Sequence, residues 1–214
     1  MSELNNRPIN FLLADDHSLI RQGIVFLLED MESEHVIFQA STRQTALESV
    51  RENPIDIAII DAHFPDGNSL SILPEIKKIK PEIKILIFTG IDENIHSLRY
   101  LNAGADGFLS KMNEEEVIEE AIMKMISHGE YISPATQVLL VSSMKNPNML
   151  NPLSVLTERE LQIAEMYAEG LGNLEIAGKL DVKQNTVSTI KRRIFDKLEI
   201  DNLVELIELI KNSQ

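Results

Sequence analysis

Apolar and polar positions follow two rhythms along this chain. Up to about residue 130, short apolar runs recur: INFLLAD, HVIFQA, IDIAII, KILIFTG and GFLS. Between them lie segments whose apolar residues return every three or four positions: SLIRQGIVFLLED, TRQTALESVREN, NSLSILPEIKKI, NIHSLRYLNAG and EEEVIEEAIMKMISHG. Strand-length runs alternating with amphipathic helices predict a parallel sheet covered on both faces. IDIAII and KILIF lack polar alternation, as strands buried on both sides should. The expected fold of residues 7–130 is therefore α/β, a five-stranded doubly wound parallel sheet. Asn113, with Glu116 three residues on, marks the expected start of its last helix, and Gly129 the end.

The second rhythm is helical throughout. Residues 131–152 read as a linker, with three prolines in YISPATQVLLVSSMKNPNMLNPLS and one short helix expected around Thr136–Ser143. In LTEREL, Thr157 can cap a helix, Glu160 can cap back, and Leu156 can pack on Leu161. Four short segments follow with brief connections and no strand: TERELQIAEMYAEG, NLEIAGKL, KQNTVSTIKRRIFDKL and NLVELIELIKNS. Residues 153–214 are expected to form a small all-α domain.

Composition narrows the picture. The chain has 214 residues, 43% of them hydrophobic, enough for two modest cores. It has no cysteine, which excludes disulfides and thiolate metal sites. MSELNNRPIN lacks the basic-then-apolar pattern of a signal peptide, and no apolar run approaches membrane-spanning length. A cytoplasmic protein without a membrane partner is expected. The net charge of −14 argues against indiscriminate nucleic-acid binding. The charge is uneven, however. Residues 1–150 carry 12 Lys/Arg against 23 Asp/Glu, and residues 151–214 carry 8 against 11, so the balance falls from −11 to −3.

The candidate chemistry lies at predicted strand ends. In an open parallel sheet, ligands bind beyond the carboxyl ends of the strands, where the strand order reverses. Asp15 and Asp16 follow the first strand and Asp61 the third, and in the usual five-stranded order these strands are neighbours. Three converging carboxylates suit a divalent cation, and an oxygen-only set favours Mg²⁺. Thr89 ends the fourth strand and Lys111 follows the fifth. A hydroxyl, an ammonium, a cation and a carboxylate nucleophile suit phosphoryl transfer, with Asp61 as the attacking group.

These residues, with Pro65 four positions after Asp61 and Phe108 before Lys111, resemble the receiver domain of bacterial two-component response regulators. The resemblance implies a flavodoxin-like fold. It implies that Asp61 is phosphorylated by a sensor histidine kinase, and that Asp16, Asp61 and the backbone carbonyl of His63 bind Mg²⁺, with Asp15 acting mainly through water. It makes Thr89 and Phe108 a switch pair, and Lys111 a ligand of the phosphoryl group. It implies no turnover enzyme, only phosphoryl acceptance and slow self-dephosphorylation. One departure is Ser69, which stands where the family usually has glycine.

LTEREL, EGLGNLEIAGKL and NTVSTIKRRIFDKLEI resemble the helix-turn-helix of the LuxR type, so that the whole chain resembles a NarL/FixJ-type response regulator. By that resemblance, Glu175–Leu180 lies in the scaffold helix and Gln184–Leu198 is the recognition helix, set in the major groove of double-stranded DNA. Ser188, Thr189 and Arg192 fall at base-reading positions, and Lys183, Lys191 and Arg193 are placed for phosphates. Leu203, Leu206, Ile207 and Ile210 form an apolar stripe on a helix that often pairs in a homodimer, here expected when phosphorylated, and the stripe is partly domain core in any reading. The departures are Leu174, Lys183, Ser188, Ile190, Glu199 and Leu203. A missing Ser cap at Lys183 costs about 1 kcal/mol, and Glu199 stands where a C-capping glycine is common.

Taken singly, each residue has a plainer reading. Asp61 alone is a cap or loop residue, Phe108 alone is core, His17 and His63 are surface residues, and Lys191–Arg193 is a solvated helix face. Two other functions compete with the switched transcription regulator. A phosphohydrolase would use Asp61 as nucleophile, but His63 stands where a second Asp is expected. An interaction protein with weakened or absent DNA binding would follow from the lost basic residues, and salt-dependent binding to duplex DNA discriminates it.

Overall fold

The computed structural model describes residues 7–31, 34–145 and 151–212. Part of the expected linker, residues 146–150, lies outside these. The chain divides into two compact units, Met1–Leu140 and Val141–Gln214.

The first unit is built on five parallel strands: β1 (Ile9–Ala14), β2 (His35–Ala40), β3 (Ile57–Ile60), β6 (Lys84–Thr89) and β7 (Gly107–Ser110), in spatial order β2-β1-β3-β6-β7. The expected fourth and fifth strands are β6 and β7 because a two-residue hairpin intervenes, β4 (His63–Phe64) with β5 (Gly67–Asn68). Alternate residues of each strand serve opposite layers, as a period of two requires. Leu12, Ala58, Ile60, Ile85, Ile87 and Phe108 join one core with Ala46, Val50, Leu73, Ile76 and Tyr100. Phe11, Leu13, Ile57, Ile59, Leu86, Phe88 and Leu109 join the other with Ile24, Leu28, Ala121, Ile122 and Met125. Helices α2 (Arg43–Glu52), α3 (Leu73–Ile79) and α4 (Glu93–Asn102) cover the first face, and α1 (Ser18–Glu29) and α5 (Glu115–His128) the second.

Two local expectations need correction. The last helix of this unit is capped at Glu114, not Asn113, and without a side-chain bond. Ser110 instead accepts the Met112 N–H at 3.1 Å, and two glutamates in the first helical turn complement the helix dipole. Gly129 does close the helix, at φ 77°. The expected linker also begins inside the first unit. Tyr131 is buried and its N–H donates to the Asp106 carbonyl, beside β7. Helix α6 (Pro134–Lys145) is longer than the short helix expected. Ser133 and Thr136 at its start both donate to the Glu93 carboxylate of α4.

The second unit contains helices α7 (Glu158–Ala168), α8 (Asn173–Leu180), α9 (Gln184–Leu198) and α10 (Leu203–Asn212). Its core gathers Ile163, Tyr167, Ile176, Val187, Ile194, Leu198, Leu206 and Ile210. The capping box of Thr157 and Glu160 forms as expected.

Candidate functional site

The sheet register assembles the acidic pocket. Ala14 pairs with Ile60, and the Asp61 N–H donates to the Ala14 carbonyl at 2.8 Å, so Asp15 and Asp61 emerge side by side. This is the point where the connections leave β1 and β3 in opposite directions along the sheet. Thr89 pairs with Ser110, and the Lys111 N–H donates to the Thr89 carbonyl at 2.8 Å, which brings the lysine to the same edge.

Lys111 Nζ lies 2.6 Å from Asp15 Oδ2 and 2.6 Å from Asp61 Oδ2. Both aspartates are buried, and one ammonium bridges them. Burial alone would push the Lys111 ammonium down. Its hydrogen bonds to the two carboxylates and their charge outweigh that and hold it above its ordinary value. Asp61 Oδ1 accepts the Ala62 N–H at 2.6 Å, and Asp15 Oδ1 accepts the His17 N–H at 2.8 Å. Asp16 is more open, with 31% of its side chain exposed.

Asp15, Asp16, His17 and Asp61 each offer one ligand atom within 4.8 Å of the others. The donor set fits Mg²⁺: carboxylate oxygens dominate, and the outward Asp16 leaves one side open to water, which Mg²⁺ retains. His17 is poorly matched to Mg²⁺. Its Nδ1 stands 3.1 Å from Asp15 Oδ1 and 2.9 Å from Asp16 Oδ1, a contact that sequence reasoning missed. Arg21 was missed as well. Its Nη1 donates to the Asp15 carbonyl at 2.5 Å and its Nε to Gln39 at 2.9 Å. The available signal was the lone cation of a helix that starts just after two acids. His63 opens the β4–β5 hairpin, which puts its backbone two residues beyond Asp61.

Thr89 and Phe108 are both buried, on adjacent strands. Thr89 continues the Ile85–Ile87 row, and Ile87 is the register partner of Phe108, so the two share one sheet face. The Phe108 ring lies 5.8 Å from Tyr100 of α4, and the Tyr100 hydroxyl donates to Asn68 Oδ1 at 3.0 Å. That pair links α4 to the loop after Asp61 and was not foreseen. At the Ser69 departure the chain forms the hairpin, with Gly67 at φ 121° and Ser69 fully buried. Its hydroxyl has no hydrogen-bond partner, a local cost of the serine.

In the second unit, α9 spans the expected recognition helix. Lys183 is its N-cap residue and forms no side-chain cap, leaving its ammonium exposed. Thr189, Arg192 and Arg193 are exposed, and Lys191 lies 5.7 Å over the Phe195 ring. Lys197 belongs to the scaffold instead. It contacts Glu160 Oε2 at 2.7 Å, the carboxylate oxygen that also accepts the Thr157 N–H at 2.8 Å. Burial raises the Glu160 carboxyl, but Lys197 and the Thr157 donors together hold it below its ordinary range. Glu199 takes the left-handed conformation at φ 51° in place of a glycine. The apolar stripe on α10 is partly domain core, as its pattern implied. Leu206 is 0% exposed and Ile210 2%, and Leu203 packs on the same core. A helix in a small domain must bury one face, and these three residues supply it. Ile207 is half-buried, and Val204, which the expected stripe omitted, is exposed.

Comparison with known proteins agrees with this geometry. Residues 11–123 match the response regulator receiver domain, and residues 154–210 match the LuxR family of bacterial regulatory proteins. The response regulator UvrY of Escherichia coli is 34% identical over 202 residues, which cover 94% of this chain and 93% of UvrY. The response regulator GacA of Pseudomonas aeruginosa is 34% identical over 199 residues, covering 92% and 93%. A solved structure of RcsB from Salmonella enterica serovar Typhimurium, bound to a promoter with the phosphomimetic BeF3⁻, superposes with a TM-score of 0.62. It is 20% identical and covers 97% of this chain and 100% of that one, a likeness of fold. The chain belongs to the two-component response regulators. Within them it is of the NarL/FixJ type, a receiver joined to a LuxR-type DNA-binding domain. Among the described residues, no helix is long and apolar enough to cross a membrane.

Proposed function

We propose that Asp61 accepts a phosphoryl group from the phosphohistidine of a sensor kinase in the cytoplasm, and that this controls DNA binding by α9. The observation that carries the reading is the bridge of Lys111 between two buried carboxylates, 2.6 Å from each. An Asp61 oxygen attacks phosphorus, the P–N bond to the donor histidine breaks, and an acyl phosphate forms. The Ala62 N–H orients the carboxylate throughout. Lys111 offsets the negative charge that gathers on the phosphoryl oxygens. Asp16, Asp61 and the His63 carbonyl would hold Mg²⁺, with Asp15 reaching it through water. When bound, Mg²⁺ supplies further neutralisation of the phosphoryl oxygens. Water attack on phosphorus later breaks the P–O bond and restores Asp61, and no other turnover is expected.

The new acceptor oxygens draw the Thr89 hydroxyl toward them. The space it leaves on the shared sheet face is open to Phe108 and to Tyr100 of α4. The change is passed on at the α4 face and favours a homodimer that binds paired half-sites on double-stranded DNA. The promoter complex of RcsB, which has the same fold, supports the DNA-binding half of this reading.

Intact mass after incubation with Mg²⁺ and acetyl phosphate tests it. One added phosphoryl group is expected in the wild type and none in Asp61→Ala. Equal addition in both would place the acceptor elsewhere. Salt-dependent duplex binding by the phosphorylated wild type separates a regulator of transcription from a protein that only docks on partners.

A further inference from the structure

The outer face of α9 is more selective than its list of polar residues suggests. The buried residues Val187, Ile194 and Leu198 fix its inner face. At about 100° per residue, Asn185, Thr189, Arg192 and Asp196 then lie within roughly 40° of the opposite line. All four are exposed. Ser188 stands to one side of this line and Arg193 to the other.

Of the three hydroxyls on this helix, those of Thr189 and Ser188 are already committed. Thr189 Oγ1 donates to the Asn185 carbonyl at 2.9 Å. Ser188 Oγ donates to the Gln184 carbonyl at 3.2 Å and accepts from Asn173 Nδ2 at 2.9 Å. Asn173 in turn accepts from the Tyr167 hydroxyl at 2.8 Å, so Ser188 ends a chain that runs through α7, α8 and α9. A hydroxyl has one proton to give. Thr189 therefore presents its methyl group and a lone pair outward, and Ser188 keeps little for a base.

We propose that Asn185, which the sequence reading passed over, reads bases together with Thr189 and Arg192, and that Ser188 positions α9 on α8 instead of reading a base. Asn pairs with the N6 and N7 of adenine, Arg with the O6 and N7 of guanine, and a threonine methyl with the thymine methyl. Asn185 and Arg192 are seven residues apart, about 10 Å along the helix, the length of roughly three base steps. The half-site so read has an adenine and a guanine about three steps apart and a thymine between them on either strand. Asp196, on the same line one turn further, disfavours close approach of phosphates there and confines reading to the part of the helix up to Arg192.

This rests on the DNA-binding reading above, and one selection experiment separates the two. Full-length protein, treated with Mg²⁺ and beryllofluoride, is used to enrich a randomised duplex pool. The wild type is expected to enrich half-sites of the stated pattern. Asn185→Ala should lose the adenine preference at one position per half-site, with affinity for the wild-type site falling about five- to a hundredfold. Thr189→Val keeps the shape and lacks the hydroxyl, so it should keep the thymine preference, whereas Thr189→Ser should lose it. Ser188→Ala should weaken all sequences alike. An unchanged pattern with Asn185→Ala, or a pattern lost with Thr189→Val, would overturn the inference while leaving DNA binding intact. A wild type that enriches nothing would overturn the DNA-binding reading and this inference with it.

Discussion

Asp15 and Asp61 are 5% and 6% exposed and share the Lys111 ammonium, while Arg192 and Arg193 stand in solvent on a helix whose inner face is wholly apolar. The first arrangement holds charge in a low-dielectric pocket, where every group is fixed by a partner. The second holds charge where water screens it, and keeps it available to an incoming polyanion. A site that must position one small phosphoryl group needs its charges preorganised. A surface that must meet a long anionic duplex needs them extended and unspent. Glu160 and Lys197 show the boundary between the two styles within one domain: that lysine is on the recognition helix, yet its charge is used to hold the helix in place.

Breaking the pocket should have the largest effect. Lys111→Ala leaves two buried carboxylates without their shared cation, and should destabilise the first unit by about 3 kcal/mol in urea unfolding. Millimolar Mg²⁺ should restore part of the loss, and phosphoryl transfer from acetyl phosphate should slow sharply. The sign of the pH dependence follows from the raised Lys111 value. Its contribution is full below the ordinary 10.5 and fades as pH rises through the higher folded value, so wild type and variant should converge only at strongly alkaline pH.

Glu160→Gln should come next, at about 2 kcal/mol in thermal unfolding of the second unit, because it removes a charge-assisted bond to Lys197 and weakens the cap on α7. Here the folded carboxyl is held below its ordinary 4.5. Its contribution is present above that value and is lost as pH falls through the lower folded one. Melting curves of wild type and variant taken from pH 7 downward should therefore close together in acid.

Lys183→Ser has the smallest effect and sharpens the contrast most. It should stabilise α9 by about 1 kcal/mol through a new N-cap. It should also reduce the salt dependence of duplex binding by about one phosphate's worth per subunit. A gain in stability together with a loss of salt sensitivity would show that this exposed lysine is kept for DNA at a cost to the fold.

The strand ends were readable in advance because each site residue directly follows a visible apolar run. A parallel sheet then leaves little choice about which ends meet. Asp15, Asp61, Thr89 and Lys111 needed nothing more. The four helices of the second unit, the Thr157–Glu160 box and the Gly129 cap were equally local. The cap at Glu114 was misplaced by one residue because Asn and Glu at the right spacing are common outside helix starts. The β4–β5 hairpin was missed because two-residue strands carry no period.

The α10 stripe shows where local pattern stops. Leu203, Leu206, Ile207 and Ile210 share one helix face, and periodicity cannot say whether that face meets its own domain or a second copy. Packing put Leu206 and Ile210 in the core and left Val204 outside. The same holds for the contacts of Arg21 with Gln39, Tyr100 with Asn68 and Ser188 with Asn173, whose partners lie on other elements. Periodicity and strand-end position record what a residue's own segment does, and so they were enough for the fold class and the acidic pocket, while the family came from the resemblance of the motifs. Which hydroxyl is spent, which cation is shared and which apolar face is closed depend on residues distant in sequence, and those were assigned when the elements packed.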